Sequence, residues 1–226
     1  MKEWESVFTD EDRELLKKFR RSEIKPHFGK KPALIIVDVM KAFLGSKPES
    51  VLESAEEYRT SCGDVGWDAL QHIKKLLDTF RTKGLPVIYS IMNAYDSQFA
   101  WGADKYWGPH EQWNQEDLEV VEYIKPLPSE PVIRKTKASG FLFTPLAPIL
   151  HMLGADCLVI VGTSTSGCVR ATVIDGLSYK YNVFIVEEGC FDRFKLSHLV
   201  SLWDMNAKYG EVISISDALD YLSVIS

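Results

Sequence analysis

CLVIVGTSTSGCVRATVIDG, residues 157–176, carries the strongest structural signal in the chain. It opens with a short apolar run, Cys157–Val161, whose length and composition are typical of a strand buried on both faces. Gly162 ends this run, and small polar residues follow. After Cys168 the apolar residues recur at the spacing of one helical face. The pattern predicts a strand, a tight turn and a helix, with Cys168 in the first helical turn and Ser166 as the N-cap.

The predicted position of Cys168 has chemical consequences. Unpaired N–H groups and the positive end of the helix dipole surround a first-turn thiol, and both favour its thiolate. The same N–H groups can hold an oxyanion when a thiolate attacks an acyl carbon. A small buried cysteine with only a packing role is the alternative, and the pattern of residues 157–176 alone leaves both possibilities open.

The composition indicates one globular domain. The chain has 226 residues, of which 46% are hydrophobic, and a formal net charge of -6. This length suits a single domain spanning residues 1–226 with a full core. The negative charge argues against nucleic acid or an anionic membrane surface as the main partner. No apolar run approaches the roughly 20 residues of a membrane span, and the N-terminus lacks the apolar segment of a signal peptide.

The cysteines indicate the redox compartment. No two of them have the close spacing of zinc ligands, so a reduced, cytoplasmic protein is expected. The four residues are Cys62, Cys157, Cys168 and Cys190.

Strand-like and helix-like runs alternate along the rest of the chain. This alternation is typical of parallel βαβ units, and it predicts an α/β fold: three layers, α/β/α, around a mostly parallel, doubly wound sheet of about six strands. The other predicted strands are Ala33–Asp38, Pro86–Ile91, Val132–Lys135, Val183–Val186 and Val212–Ile215. The other predicted helices cover residues 9–20, 67–80, 144–153 and 194–208, with a short one from Asp217.

Three segments fall outside this alternation. Residues 1–30 form an N-terminal arm, which would pack on the domain or on a neighbouring subunit, and residues 44–63 show no regular pattern. Residues 93–131 form a long connection rich in aromatic side chains, and such connections are normally functional or part of an interface. The aromatic side chains could wall a pocket or seal a subunit contact, and the sequence leaves both open. They include Trp101, Trp107 and Trp113.

The topology brings chemically active residues together. Right-handed crossovers place the C-terminal ends of parallel strands on one rim of the sheet, where open α/β sheets bind their ligands. Asp38, Lys135 and Cys168 all follow or end such strands. A nucleophile, a candidate base and a cation form a constellation for acyl transfer. Taken alone, Asp38 could also be a helix cap or turn residue.

The chain resembles the isochorismatase-like cysteine hydrolases. ALIIVD ends in Asp38, VIRKTKASGF contains Lys135 and VGTSTSGCV contains Cys168, and these three pieces occur in the family's order. The resemblance covers the core from about residue 33 to residue 222. TSTSGCVRAT, the pair Asp192 and Arg193, and HLVSLWDMNAKYGEV are most similar to the N-carbamoylsarcosine and maleamate amidohydrolases of the family.

The resemblance implies a catalytic triad. Cys168 would be the nucleophile, Asp38 the base that takes its proton, and Lys135 the cation that stabilises the charged groups. The resemblance also implies a cis peptide bond between Thr163 and Ser164. The backbone N–H groups of Ser164 and Cys168 would form an oxyanion hole.

The resemblance also implies a substrate class. Arg193 would form a bidentate pair with a substrate carboxylate, and Thr163 and Thr165 would bind substrate as well. An exposed or helix-start arginine is the alternative for Arg193. The expected reaction is hydrolysis of the C–N bond in a small carboxylate-bearing amide or N-carbamoyl compound, with release of ammonia through a thioester on Cys168. The expected partners are this small molecule and further copies of the chain, in a homo-oligomeric dimer or tetramer.

The chain departs from some relatives in the resemblance. Nicotinamidases carry an Asp-x-His metal pair soon after the first strand, whereas residues 44–54, LGSKPESVLES, contain no histidine. We therefore expect no metal and no other cofactor. The cysteine argues against vinyl-ether hydrolysis, because true isochorismatases lack it, and the absence of a CxxC motif argues against a dithiol oxidoreductase. A nicotinamidase-like hydrolase of a neutral amide and an inactive small-molecule-binding homologue stay open.

Overall fold

A six-stranded parallel sheet forms the centre of the molecule. The computed structural model describes residues 2–19, 28–93 and 114–225. Each neighbouring pair of strands is parallel, and the strand order is β3-β2-β1-β4-β5-β6. The predicted α/β fold is thereby confirmed. The strands are β1 Pro32–Val37, β2 Val87–Met92, β3 Val132–Lys135, β4 Cys157–Thr163, β5 Asn182–Phe191 and β6 Glu211–Ile213.

Helices connect the strands. Short 3₁₀ helices lie at Glu3–Val7, Glu116–Leu118 and Glu122–Ile124, and a π-helical turn, Thr165–Val169, precedes one α-helix. The α-helices in the described residues are α1 Asp10–Phe19, α2 Lys41–Leu44, α3 Val51–Glu57, α4 Asp64–Thr82, α5 Leu146–Leu153, α6 Arg170–Ser178, α7 Lys195–Lys208 and α8 Ile215–Ser223. None of these is long and apolar enough to cross a lipid bilayer.

Alternation along β1 shows why helices cover both faces of the sheet. All six residues of β1 are buried, and successive side chains point to opposite faces. Leu34 and Ile36 pack in the core that contains the apolar faces of α4 and α8. Ala33, Ile35 and Val37 pack in the other core, with α5, α6 and α7. The central strand therefore fits only between two apolar layers.

Several element boundaries differ from the predictions. Residues 44–63 contain α3, whose Ser50 and Glu53 form a capping box, so the prediction of an irregular segment was wrong. β5 continues to Phe191 instead of ending at Val186, because its later residues pair with the end of β4. Ser166 is not the N-cap: Ser164 holds that position, and the Ser166 hydroxyl donates to Asp192.

The N-terminal segment packs against α7. Trp4 is buried in the core beside α7, and the Phe8 ring meets the edge of Trp203 at a centroid distance of 4.9 Å. Thr9 and Asp12 exchange hydrogen bonds at the start of α1, in the pattern of a capping box. α1 itself has no buried residue.

The long connection between β2 and β3 is described only in part. Its described portion, residues 114–131, lies near α2 and α3: the Tyr58 hydroxyl donates to Asp117 at 2.7 Å, and Met40 pairs with Val120. The three tryptophans of the predicted pocket wall or subunit contact lie outside the described residues. They are Trp101, Trp107 and Trp113.

Candidate active site

Asp38 lies at the C-terminal end of the central strand. It follows β1 directly, its N–H donates to the Ser90 carbonyl at 2.8 Å, and its backbone has a positive φ of 53°. Its side chain is completely buried. A buried carboxylate requires a partner, because burial without one costs several kcal/mol. The partner comes from the edge of the sheet.

Lys135 is that partner. It is the last residue of β3, and its long side chain reaches across β2 to β1. Its Nζ lies 2.7 Å from Asp38 Oδ2, 3.3 Å from Cys168 Sγ and 3.2 Å from the Lys137 carbonyl oxygen. Only 2% of Lys135 is exposed. The ammonium therefore connects the carboxylate at the end of β1 with the thiol that follows β4.

Cys168 sits in the π-helical turn Thr165–Val169, which we name the nucleophile turn. The turn begins directly after β4 and Ser164, and the Ser164 carbonyl accepts hydrogen bonds from the Gly167 and Val169 N–H groups. Cys168 is half-buried, whereas Val169 is fully buried against the sheet. This packing leaves the thiol at the rim while the next residue anchors the turn in the core.

Burial dominates the electrostatics of the three side chains. It raises the pKa of Cys168 to about 12, although the Lys135 ammonium opposes the shift. It also raises the pKa of Asp38, again against the effect of Lys135. Burial alone would lower the pKa of Lys135, but the negative charges of Asp38 and Cys168 raise it overall. Burial therefore favours the neutral thiol of Cys168, whereas the contacts of Lys135 with Asp38 and Cys168 favour the protonated form of the lysine.

Burial acts against one expectation from the sequence. The start of a helix was expected to favour the Cys168 thiolate, whereas desolvation raises the pKa of this thiol. A neutral thiol is a weak nucleophile, so Cys168 would have to lose its proton to attack a substrate. Asp38 is suited to accept it, because a raised pKa makes its carboxylate a stronger base.

Two threonines flank Ser164 at the start of the nucleophile turn. The peptide bond between Thr163 and Ser164 is cis. The Thr163 hydroxyl donates to the Phe191 carbonyl at 3.1 Å, and the Thr165 hydroxyl lies 2.8 Å from His198 Nδ1. Both threonine side chains are fully buried. Their hydroxyls are thus engaged within the protein.

Arg193 lies just beyond the end of β5. Its guanidinium donates to the Thr60 carbonyl, and the guanidinium carbon lies 5.9 Å from the centre of the Phe43 ring. Its Nη1 is 4.0 Å from Cys62 Sγ, which in turn is 3.6 Å from the Thr163 hydroxyl. Arg193 therefore contacts the α3–α4 loop, and Cys62 of that loop connects it with Thr163 at the end of β4.

Two further residues contact the nucleophile turn. Asp192 Oδ2 accepts hydrogen bonds from the Ser166 N–H at 2.8 Å and the Ser166 hydroxyl at 2.6 Å. His198, on α7, contacts Thr165. The sequence marks Asp192 only as part of the pair with Arg193, and His198 only as the first residue of HLVSLWDMNAKYGEV; neither pattern indicates a contact with the turn. Their contacts depend on how β5 and α7 pack against the turn.

Metal binding and disulfide formation are two other roles that cysteine side chains can have in proteins. Residues 2–19, 28–93 and 114–225 contain no group of three or more His, Cys, Asp or Glu side chains placed to share a metal ion. Metal independence remains a prediction that needs a test in solution. All four cysteines are free thiols.

Sequence comparisons identify relatives that span most of this chain. Residues 32–217 match the model of the isochorismatase domain. Maleamate amidohydrolase from Pseudomonas putida is 31% identical over 201 residues, covering 86% of this chain and 88% of the relative. N-carbamoylsarcosine amidase from Arthrobacter sp. is 26% identical over 216 residues, covering 88% of this chain and 74% of the relative.

The structural comparison agrees with the sequence comparison. The crystal structure of N-carbamoylsarcosine amidase from Thermoplasma acidophilum superposes with a TM-score of 0.66 at 26% identity, covering 82% of this chain and 96% of that one. The matched domain contains all three residues of the buried cluster, Asp38, Lys135 and Cys168. From the domain match and the extent of these similarities, we conclude that the chain belongs to the isochorismatase-like hydrolase family.

Proposed function

We propose that this protein is a cysteine-dependent amidohydrolase that cleaves the C–N bond of a small carboxylate-bearing linear amide or N-carbamoyl compound and releases ammonia. One observation carries the proposal: Lys135 Nζ lies within 2.7 Å of Asp38 Oδ2 and 3.3 Å of Cys168 Sγ. A thiol, a base and a cation in mutual contact are the groups that covalent acyl transfer needs. The relatives named as amidohydrolases support the reaction class.

The first half of the reaction acylates Cys168. Its sulfur attacks the amide or carbamoyl carbon while Asp38 takes the thiol proton. The backbone N–H groups of Ser164 and Cys168 donate hydrogen bonds to the oxyanion that forms. Asp38 then gives the proton to the amide nitrogen, the C–N bond breaks, and ammonia leaves. Cys168 carries a thioester at this point.

The second half hydrolyses the thioester. Asp38 takes a proton from water while the water oxygen attacks the thioester carbon. The C–S bond breaks, the acid product leaves, and the proton held by Asp38 returns to the Cys168 sulfur. Lys135 stays protonated throughout, since both of its neighbours raise its pKa. Its charge stabilises whichever of the two side chains is negative at each stage.

Arg193 is the proposed binding residue for the substrate carboxylate. A guanidinium can donate two parallel hydrogen bonds to the two oxygens of a carboxylate. The Phe43 ring beside Arg193 supplies an apolar surface for the rest of a small substrate. Any contribution of Thr163 and Thr165 is proposed to come from their backbone, because their hydroxyls already bond Phe191 and His198.

A matched set of amides tests this proposal. Ammonia release is measured with maleamate, with its neutral methyl ester, with N-carbamoylsarcosine and with nicotinamide. We expect turnover of a carboxylate-bearing compound, weaker turnover of the neutral ones, and none by the Cys168→Ser variant. Absence of ammonia release from every compound would contradict the proposed activity. Equal rates for maleamate and its ester would contradict the carboxylate preference alone.

A further inference from the structure

Asp192 makes a two-fold contact with the nucleophile turn. One carboxylate oxygen, Oδ2, accepts from both the backbone N–H and the hydroxyl of Ser166, at 2.8 and 2.6 Å. Ser166 is two residues before Cys168. Only 7% of Asp192 is exposed, so these hydrogen bonds form away from bulk water. Hydrogen bonds to a charged acceptor are roughly twice as strong as neutral ones.

The contact joins separate parts of the fold. Asp192 follows β5, whereas the nucleophile turn follows β4. The two strands pair as far as Thr163 and Phe191, with a register shift between Ile160 and Gly162. π-helical turns are rare, and they occur often at functional sites. The Ser164 carbonyl accepts two hydrogen bonds from within the turn, and Asp192, which lies outside the turn, accepts two more.

The charges that act on the Cys168 thiol are those of Lys135 and Asp38. Asp192 contacts Ser166 instead, so any influence on the reaction passes through the position of the turn. Its neighbour Arg193 points elsewhere, to the Thr60 carbonyl. Two consecutive residues that follow β5 thus contact different segments: Asp192 contacts the nucleophile turn, and Arg193 contacts the α3–α4 loop.

We infer that Asp192 is a positioning residue, which fixes the nucleophile turn through Ser166 and so holds the Cys168 sulfur against Lys135 and Asp38. The inference rests on the proposed function insofar as it concerns turnover. Effective attack needs reacting atoms held in a near-attack geometry, and a displacement of about 1 Å can cost about 100-fold in rate. Removal of the carboxylate should therefore slow the chemical step more than it weakens substrate binding.

Three substitutions and a matched control test the inference. Asp192→Ala removes both hydrogen bonds, Ser166→Ala removes only the hydroxyl bond, and Asp192→Asn keeps an oxygen acceptor without the charge. Asp217→Ala is the control, because Asp217 Oδ2 accepts from the N–H and hydroxyl of Ser214 in the same way at the start of α8. The measurements are kcat, KM, the melting temperature, and the rate at which iodoacetamide alkylates Cys168.

The expected results separate positioning from stability. Asp192→Ala should lower kcat about 10- to 100-fold, while KM changes by less than about threefold. Its alkylation rate at Cys168 should also differ from that of the wild type. Asp192→Asn should recover most of the wild-type kcat and of the wild-type alkylation rate. Asp217→Ala should lower only the melting temperature. If Asp192→Ala does not fold, Ser166→Ala provides the same test with a smaller expected loss in kcat.

Several outcomes would overturn the inference. One is an equal change in kcat and alkylation rate in Asp192→Ala and Asp217→Ala, which would indicate a general loss of stability. Another is an Asp192→Asn variant as slow as Asp192→Ala. If the wild type released no ammonia from any amide, the proposed function would fail. The alkylation rates would still decide whether Asp192 positions Cys168.

Discussion

At the scale of single residues, the site depends on one buried ammonium. Lys135 Nζ lies 2.7 Å from Asp38 Oδ2, and both side chains are almost completely shielded from solvent. Removal of one partner from a buried ion pair leaves an uncompensated charge and typically costs about 3–5 kcal/mol. The pair is therefore expected to matter for stability as well as for the reactivity of Cys168.

Replacement of Lys135 tests its electrostatic role. Lys135→Ala should be inactive and should raise the pKa of Cys168 further, because the ammonium opposes the effect of burial on the thiol. Less thiolate at a given pH means slower alkylation, so the profile of alkylation rate against pH should move to higher pH. Lys137→Ala removes a lysine from the same loop and is the control. An unchanged profile in Lys135→Ala would rule out this role.

A second prediction at this scale concerns Arg193. A charged hydrogen-bonded pair contributes about 1.5–3 kcal/mol, which corresponds to a preference of about 10- to 100-fold for a carboxylate-bearing amide over its neutral ester. Arg193→Ala should raise KM for the carboxylate substrate with little change in kcat. Arg193→Lys should recover only part of the affinity, since lysine cannot match both oxygens at once. Steady-state kinetics with the carboxylate-bearing amide and with its neutral ester measure this preference. An unchanged preference in Arg193→Ala would show that Arg193 does not bind the carboxylate.

The sequence predicts some site residues better than others. Asp38, Lys135 and Cys168 follow strand ends, and the topology of a parallel sheet places such ends on one rim, so their proximity could be expected. The contact between Asp192 and Ser166 could not, since it depends on how far β5 extends. The raised pKa of Cys168 also escaped prediction, because desolvation depends on packing around the thiol.

At the scale of elements, the junction of β4 with the nucleophile turn depends on Gly162. Gly162 pairs with Val37 across the β1–β4 ladder and has a φ of +117°. A Cβ atom added there would lie 2.0 Å from the Val37 carbonyl oxygen. Only glycine allows β4 to approach β1 so closely at this point. The close approach places the nucleophile turn beside Asp38.

Gly162→Ala should therefore damage both fold and site. Overpacking and a disfavoured backbone conformation each cost about 1–3 kcal/mol, so the free energy of unfolding should fall by about 2–6 kcal/mol in total. Gly84→Ala is the matched control, since Gly84 also has a positive φ, +64°, but nothing lies within 4 Å of its added Cβ. Urea denaturation measures both variants. Similar losses for the two would show that the close approach to Val37 is unimportant.

Most elements could be predicted because their apolar period is clear. The β3 boundaries match the prediction, and the two faces of β1 follow from its continuous apolar run. α3 was missed because its seven residues, VLESAEE, are too few to show a helical period in their apolar side chains. Ser50 and Glu53 nevertheless form a capping box at its start. The last residues of β5 include Gly189 and two glutamates, which do not have a strand-like composition, and only pairing with β4 reveals them.

At the scale of the whole molecule, the proposed chemistry needs only water and groups that the chain itself supplies. Prolonged treatment with a chelator should leave ammonia release unchanged, and added zinc, iron or manganese should not increase it. The physical reason is that the thiol, its base and its cation are already in contact. Loss of activity on chelation, with recovery on addition of one of these metals, would favour the nicotinamidase-like alternative.

The central claim is that Cys168 carries the acyl group between the two halves of the reaction. Acid quenching of the protein during turnover, followed by mass spectrometry of its peptides, tests this claim most directly. The account predicts an acyl adduct on the peptide that contains Cys168, and neither adduct nor turnover in the Cys168→Ser variant. Turnover by Cys168→Ser above a few per cent of the wild-type rate would contradict the account, as would an adduct on any other residue.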